Sequence, residues 1–212
     1  MRRSGFFLAR RFCERADNRI MGVALRVRSS TAPAAAGQAE LVIDGQHFHR
    51  IVREGILKAK VSLDIATADF KAMLVPEPGT RRAHSIVEVL RRLAGQGVEI
   101  RLLHSGTPSS AALRELKKAL PRNLVIRRCP RLHFKVVVID SSRMYLGSAN
   151  LTGAGLGAKG EGKRNFELGV WTESAGLIDA AVDQFNGLWE GRRCVDCKRK
   201  DVCPVPLEEP GA

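Results

Sequence analysis

A chain of 212 residues is long enough for one domain with a sizeable core and short for two. Its 35 Lys and Arg against 22 Asp and Glu give a formal net charge of +13, which points to polyanionic partners such as nucleic acid or an anionic membrane surface. With one Tyr and two Trp, phosphate contacts are expected over aromatic stacking in any single-strand binding, and no apolar run nears the roughly 18 residues of a membrane span, so a soluble protein is expected.

Residues 1–40 are rich in Arg and poor in acids. They read as a basic extension without a fold of its own, or as a start set too early with Met21 as the true one; an organellar transit peptide is the alternative to a cytoplasmic location. The segment GFFLA is too short for the apolar core of a secretory signal.

Regular patterning is expected over residues 41–191. Phe48, Ile51, Val52, Ile56 and Ala59 recur at helical spacing, and Lys60 to Ala68 reads as a strand. Pro76 to Arg82 is a loop. Ile86, Val89, Leu90 and Leu93 mark a second helix ending at Gly95 or Gly97, followed by the strand VEIRLLHSG. Ser109 or Ser110 can cap a third helix carrying Leu113, Leu116 and Leu120, which Pro121 stops before the strand NLVIRRC. HFKVVVID and RMYLGSA then form two strands joined by a short turn, and FELGVWT is another. Leu177, Ile178, Ala181, Val182, Phe185, Leu188 and Trp189 share one face of a last helix. Alternating helices and strands followed by a strand-rich half predict an α/β sandwich with a mixed sheet.

The stretch HFKVVVIDSSRMYLGSANLTG carries the chemistry. Residues two apart in a strand share a face, so His133 and Lys135 project together at the head of an apolar strand. After the neighbouring strand, Gly147 lets the backbone come close, and Ser148 and Asn150 offer neutral donors to a phosphate oxygen. An imidazole, an ammonium and two donors make a phosphate-binding set that contains a nucleophile or general base. Asp140, at the far end of the strand, reads as a turn cap.

The spacing H-x-K-x4-D-x6-G-S-x-N, met by His133, Lys135, Asp140, Gly147, Ser148 and Asn150, resembles the signature of the phospholipase D superfamily. The resemblance extends over the helix and strand order from about Gln46 to Gly191, as one whole HKD module. A small basic chain with one copy of the motif is most similar to the bacterial nuclease branch.

That resemblance implies a phosphodiesterase in which His133 attacks phosphorus to give a phosphohistidine, while a second His133 protonates the leaving oxygen and then activates water. Lys135 and Asn150 would hold the nonbridging oxygens, with Ser148 in support. Glu167 matches the acidic residue that follows the motif, and would orient an imidazole. With one histidine per motif, a homodimer with a shared site is implied. The electrostatics come from these side chains, so no cofactor is required for catalysis. Nucleic acid is the expected substrate; hydrolysis of phospholipid headgroups at a membrane and a decayed nucleic-acid-binding module are the alternatives.

Other residues read more plainly. His47 and His49 flank the first helix as surface or packed residues, and His84 and His104 have no partner at informative spacing. Arg122, Arg127, Arg128 and Arg131, just before His133, suggest a basic approach to the site. Cys194, Cys197 and Cys203 form C-x2-C-x5-C in the basic tail of residues 192–212. Cys129 or a histidine can complete a structural zinc or iron–sulfur ligand set with them; thiols without metal are the alternative. The five Cys form an odd count, which argues against a secreted disulfide framework.

Overall fold

The structure, a computed structural model, describes residues 39–77, 79–199 and 202–203. Nearly all of the expected basic extension and much of the Cys-bearing tail therefore lie outside the described residues.

The core of the fold is a seven-stranded sheet in the order β1-β9-β8-β7-β2-β5-β6. Its strands are β1 (Ala39–Ile43), β2 (Ser62–Thr67), β5 (Glu99–His104), β6 (Leu124–Arg128), β7 (Lys135–Ile139), β8 (Arg143–Gly147) and β9 (Leu168–Thr172). Pairs β2–β5 and β5–β6 are parallel and the others antiparallel, so the sheet is mixed as the sequence predicts. β3 (Leu74–Pro76) and β4 (Ala83–Ser85) form a small separate hairpin around the predicted loop.

Helices cover both faces. On one lie α1 (Ile86–Gly95), α2 (Ser110–Leu116) and the turns at Phe48–Arg53 and Ile56–Lys58, burying Leu90, Ile51 and Ile56 against Leu63, Leu102, Ile139 and Trp171. Ser85 and Ser109 cap α1 and α2, their hydroxyls accepting from the amides of Glu88 (3.1 Å) and Ala112 (3.4 Å), which replaces hydrogen bonds that a first helical turn lacks. The first predicted helix is not α: Phe48–Arg53 is wound as a π turn and Ile56–Lys58 as a 3-10 turn.

α3 (Ala175–Trp189) covers the opposite face, packing Ile178, Phe185 and Trp189 on Ala66, Leu103, Val136, Val138 and Met144. A polar tie lies beneath it. Arg101 grips Asp64 through Nε and Nη2 (2.7 and 2.6 Å), donates to Asn186 (2.9 Å) and lies under the Phe185 ring. Register aligns Leu41, Val170 and Leu146 with Val136, and Ile43 with Leu168, so these residues share the face on which α3 sits. Leu41, Ile43, Leu146 and Leu168 are exposed there. β1 begins at Ala39, two residues before the expected domain boundary, because its backbone pairs with β9.

Candidate active site

Lys135 opens β7 directly opposite Gly147, the last residue of β8. The hairpin thus brings the head of H-x-K beside G-S-x-N. The strand starts later than the sequence predicts, leaving His133 and Phe134 outside it. β8 ends at Gly147, opposite Lys135, and β2 pairs with β7 only as far as Val136, so among the described residues β7 has no ladder partner before Lys135. His133 is exposed, and its imidazole makes no hydrogen bond among the described residues. The Lys135 ammonium donates to the His133 carbonyl (2.8 Å), which fixes one of its three N–H groups and leaves two.

Asn150 is held from the opposite side. Its Oδ1 accepts from the Asp69 amide (3.0 Å) and lies 3.2 Å from the Thr67 hydroxyl. The Asp69 donor fixes which end of the amide is oxygen, so the NH2 end remains for an anionic ligand. Thr67 also accepts from the Leu151 amide (2.9 Å), tying the loop to the end of β2. Gly155 has to be glycine here: a Cβ would stand 2.6 Å from the Asn150 carbonyl oxygen and 2.9 Å from its amide nitrogen.

Ser148 faces Glu167. Its hydroxyl donates to Glu167 Oε2 and accepts from the Leu168 amide (3.0 Å), so its proton serves the carboxylate rather than a phosphate. The Glu167 side chain is buried, and its second oxygen accepts from Asn165 (3.0 Å). Among the described residues its side-chain partners are Ser148 and Asn165, and no imidazole bonds it.

Two buried residues behind the turn carry no signal in the motif. Tyr145 OH accepts from the Ala149 amide (3.1 Å) and meets His47 Nε2 at 3.0 Å, while His47 Nδ1 lies 2.9 Å from the Asp44 carbonyl. The set is satisfied when a neutral His47 donates from Nδ1 to Asp44 and accepts the tyrosine proton at Nε2. Burial lowers the His47 pKa, partly offset by the Asp44 carbonyl and by the charges of Glu167 and Asp44. Burial also raises Tyr145 to about 12, despite the opposing Ala149 amide. Gly147 and Gly169 lie opposite each other and make room for this ring; a Cβ on either would fall 2.3 Å from a Tyr145 atom. The sequence reads His47 only as a surface or packed residue, since its partner Tyr145 lies 98 positions away.

Asp140 sits at the other end of β7. Its carboxylate accepts from the amides of Lys60 (3.0 Å), Val61 (2.8 Å) and Ser62 (3.1 Å), with Arg143 3.5 Å away. Burial pushes its pKa up, but the three amides and Arg143 outweigh that and hold it below the ordinary aspartate value. Of the arginines expected to form a basic approach, Arg127 bonds the Trp189 carbonyl (2.9 Å) and Arg128 the Ser105 carbonyl (3.0 Å), so both are committed internally. Arg122 and Arg131 are exposed. Cys129, Cys194, Cys197 and Cys203 line a single cavity of about 710 Å³, although no three His, Cys, Asp or Glu among the described residues form a preassembled metal shell.

A family model described as "Cardiolipin synthase, PLD-like domain" matches residues 52–189, more than half of the chain. The chain belongs to this PLD-like family. It is thereby a member of the phospholipase D superfamily of phosphodiesterases. Among solved structures, the PLD-like fold is shared with the phospholipase D family member Nuc from Salmonella typhimurium (19% identity, 73% of this chain and 95% of that one, TM-score 0.55). NucT from Helicobacter pylori is similar (18%, 73% and 96%, 0.54), as is phosphatidylserine synthase from Haemophilus influenzae (15%, 71% and 36%, 0.53). At these identities the likeness speaks for the PLD-like fold alone. A search of curated proteins finds no match. No helix among the described residues of this PLD-like chain is long and apolar enough to cross a membrane.

Proposed function

We propose that the chain is a nuclease that cleaves phosphodiester bonds through a phosphohistidine on His133. The observation that carries the reading is the register of Lys135 opposite Gly147. It brings the head of β7, where His133 and Lys135 lie, beside the segment Gly147 to Asn150 that follows β8. His133 attacks phosphorus, a P–N bond forms and the P–O bond to the leaving group breaks, the leaving oxygen taking a proton from a second imidazole. Water then attacks the phosphohistidine, giving its proton to that same imidazole and releasing His133. Lys135 and Asn150 bind the nonbridging oxygens as charge grows on them. Because those donors supply the stabilisation, turnover is expected to persist in EDTA.

One motif supplies one His133, so the second imidazole comes from a second copy of the chain, and each dimer holds one site. The exposed face of Leu41, Ile43, Leu146 and Leu168 runs up to Gly147 and supplies apolar surface for that contact. Since no imidazole among the described residues bonds Glu167, the one it orients belongs to the second copy. Mixed dimers of wild-type and His133→Ala chains are therefore expected to be nearly inactive. Retention of half or more of wild-type turnover, or a fully active monomer, defeats the shared site.

Nucleic acid is favoured over lipid because a small basic chain with one copy of the motif is most similar to the bacterial nuclease branch; the net charge of +13 suits either polyanion. The lipid reading keeps one specific support, the cardiolipin synthase description of the matching family. Plasmid DNA, single-stranded DNA, RNA and phosphatidylcholine vesicles offered side by side separate them. Cleavage of a nucleic acid, lost in His133→Ala, is the expected result; hydrolysis of vesicles alone transfers the function to lipid.

A further inference from the structure

Two segments far apart in sequence meet at the cavity of about 710 Å³ beyond the C-terminus of α3. One is the loop from Cys129 to Phe134, which delivers His133. The other is the tail after α3, where Gly191, Cys194, Cys197, Arg199 and Cys203 line the space. Four of the chain's five cysteines line this one space, and none of the four is in a disulfide. Cys129 is buried at its floor, beside Leu132, Phe134 and Leu188.

The Cys194 amide donates to Gly191 (2.9 Å) and the Cys197 amide to Cys194 (3.2 Å), so C-x2-C folds as a tight turn rather than an extended run. The Arg131 guanidinium hydrogen-bonds Cys197 and lies near Cys129 and Cys194.

We propose that Cys129, Cys194, Cys197 and Cys203 bind a zinc ion as a tetrathiolate structural site, clamping the tail to the loop that carries His133. Zinc suits four sulfurs in tetrahedral array and needs no open coordination position, because the histidine chemistry lies outside the cavity. The thiols are not already gathered as a shell. Binding therefore draws the tail inward, and metal affinity becomes stabilisation of the tail against the domain.

The test uses the full chain purified under reducing conditions without chelator. About one zinc per chain is expected by elemental analysis. Cobalt(II) substitution is expected to give the charge-transfer and d–d bands of a tetrahedral thiolate site. Cys197→Ser and Cys203→Ser, both outside the packed core, are expected to lose the metal and to lower the thermal midpoint to that of chelator-treated wild type. Three outcomes overturn the proposal: no zinc and no uptake of added zinc, zinc retained when Cys194, Cys197 and Cys203 are all serine, or iron with visible absorption in place of zinc.

Discussion

At one end of β7 the Asp140 carboxylate takes three backbone amides and faces Arg143; at the other, His133 is exposed with an imidazole that bonds nothing among the described residues. Both residues belong to one motif and lie seven positions apart. Asp140 has its hydrogen-bonding capacity used up by the fold, so its removal is felt as stability. His133 costs the fold nothing and keeps its capacity for a ligand. Between these extremes stand Asn150, pinned at its oxygen and open at its nitrogen, and Ser148, with its hydroxyl proton committed to Glu167.

Predictions sharpen the contrast. His133→Ala is expected to reduce turnover by about 10⁴-fold or more while the melting temperature stays at the wild-type value. A drop in melting temperature would mean that His133 also serves the fold. Lys135→Ala and Asn150→Ala are each expected to lower kcat by about 10²- to 10³-fold, the usual loss when one donor to a developing oxyanion is removed. Single-turnover kinetics check this, and a change in KM alone would put them in ground-state binding.

Asp140→Ala should behave in the opposite way, losing about 2–3 kcal/mol in urea unfolding while the protein that remains folded turns over normally, since three amides lose a charged acceptor. Asp140→Asn should lose less, because Asn tolerates the positive φ of 51° and keeps one acceptor oxygen. The smallest effect concerns pH. The folded pKa of His47 lies below the ordinary 6.5, so the unfolded chain takes up the proton first and stability falls as pH drops below 6.5. Asp140 acts in a lower window, its contribution present above 3.8 and lost as pH falls through its depressed folded value. Urea midpoints across these ranges should show a shallow decline starting near 6.5, and His47→Gln should flatten that part alone.

The sequence made most of the strands and the motif legible, because each is written in a short contiguous stretch. VVVI is an apolar run of strand length, LDIA is apolar but for Asp64, and H-x-K and G-S-x-N are compact spacings. What stayed hidden depends on contacts between distant residues. The His47–Tyr145 bond spans 98 positions, and nothing near either residue announces it. β1 escaped because most of its side chains are exposed at the sheet edge, leaving no alternation to read. The π turn at Phe48–Arg53 repeats its apolar residues at nearly helical spacing, so periodicity cannot tell it from an α-helix. The inward role of Arg127 and Arg128 is set by Trp189 and Ser105, which the local run of charge does not foretell.

The turn between β7 and β8 places Asp140 and Ser141 at φ of 51° and 50°, and the Ser142 amide donates to Ile139 (3.1 Å). Both central residues are left-handed, which suits the twist of a tight hairpin. That turn therefore acts as a ruler for the active site. One residue gained or lost there would slide β8 past β7 and turn Gly147 and Ser148 to the wrong side, even with every functional side chain intact. The Pro76 to Arg82 loop, joining two short strands of a separate hairpin, carries no such measurement. Length polymorphism should thus be silent in that loop and ruinous at Ser141, a constraint on the count of residues more than on their kind.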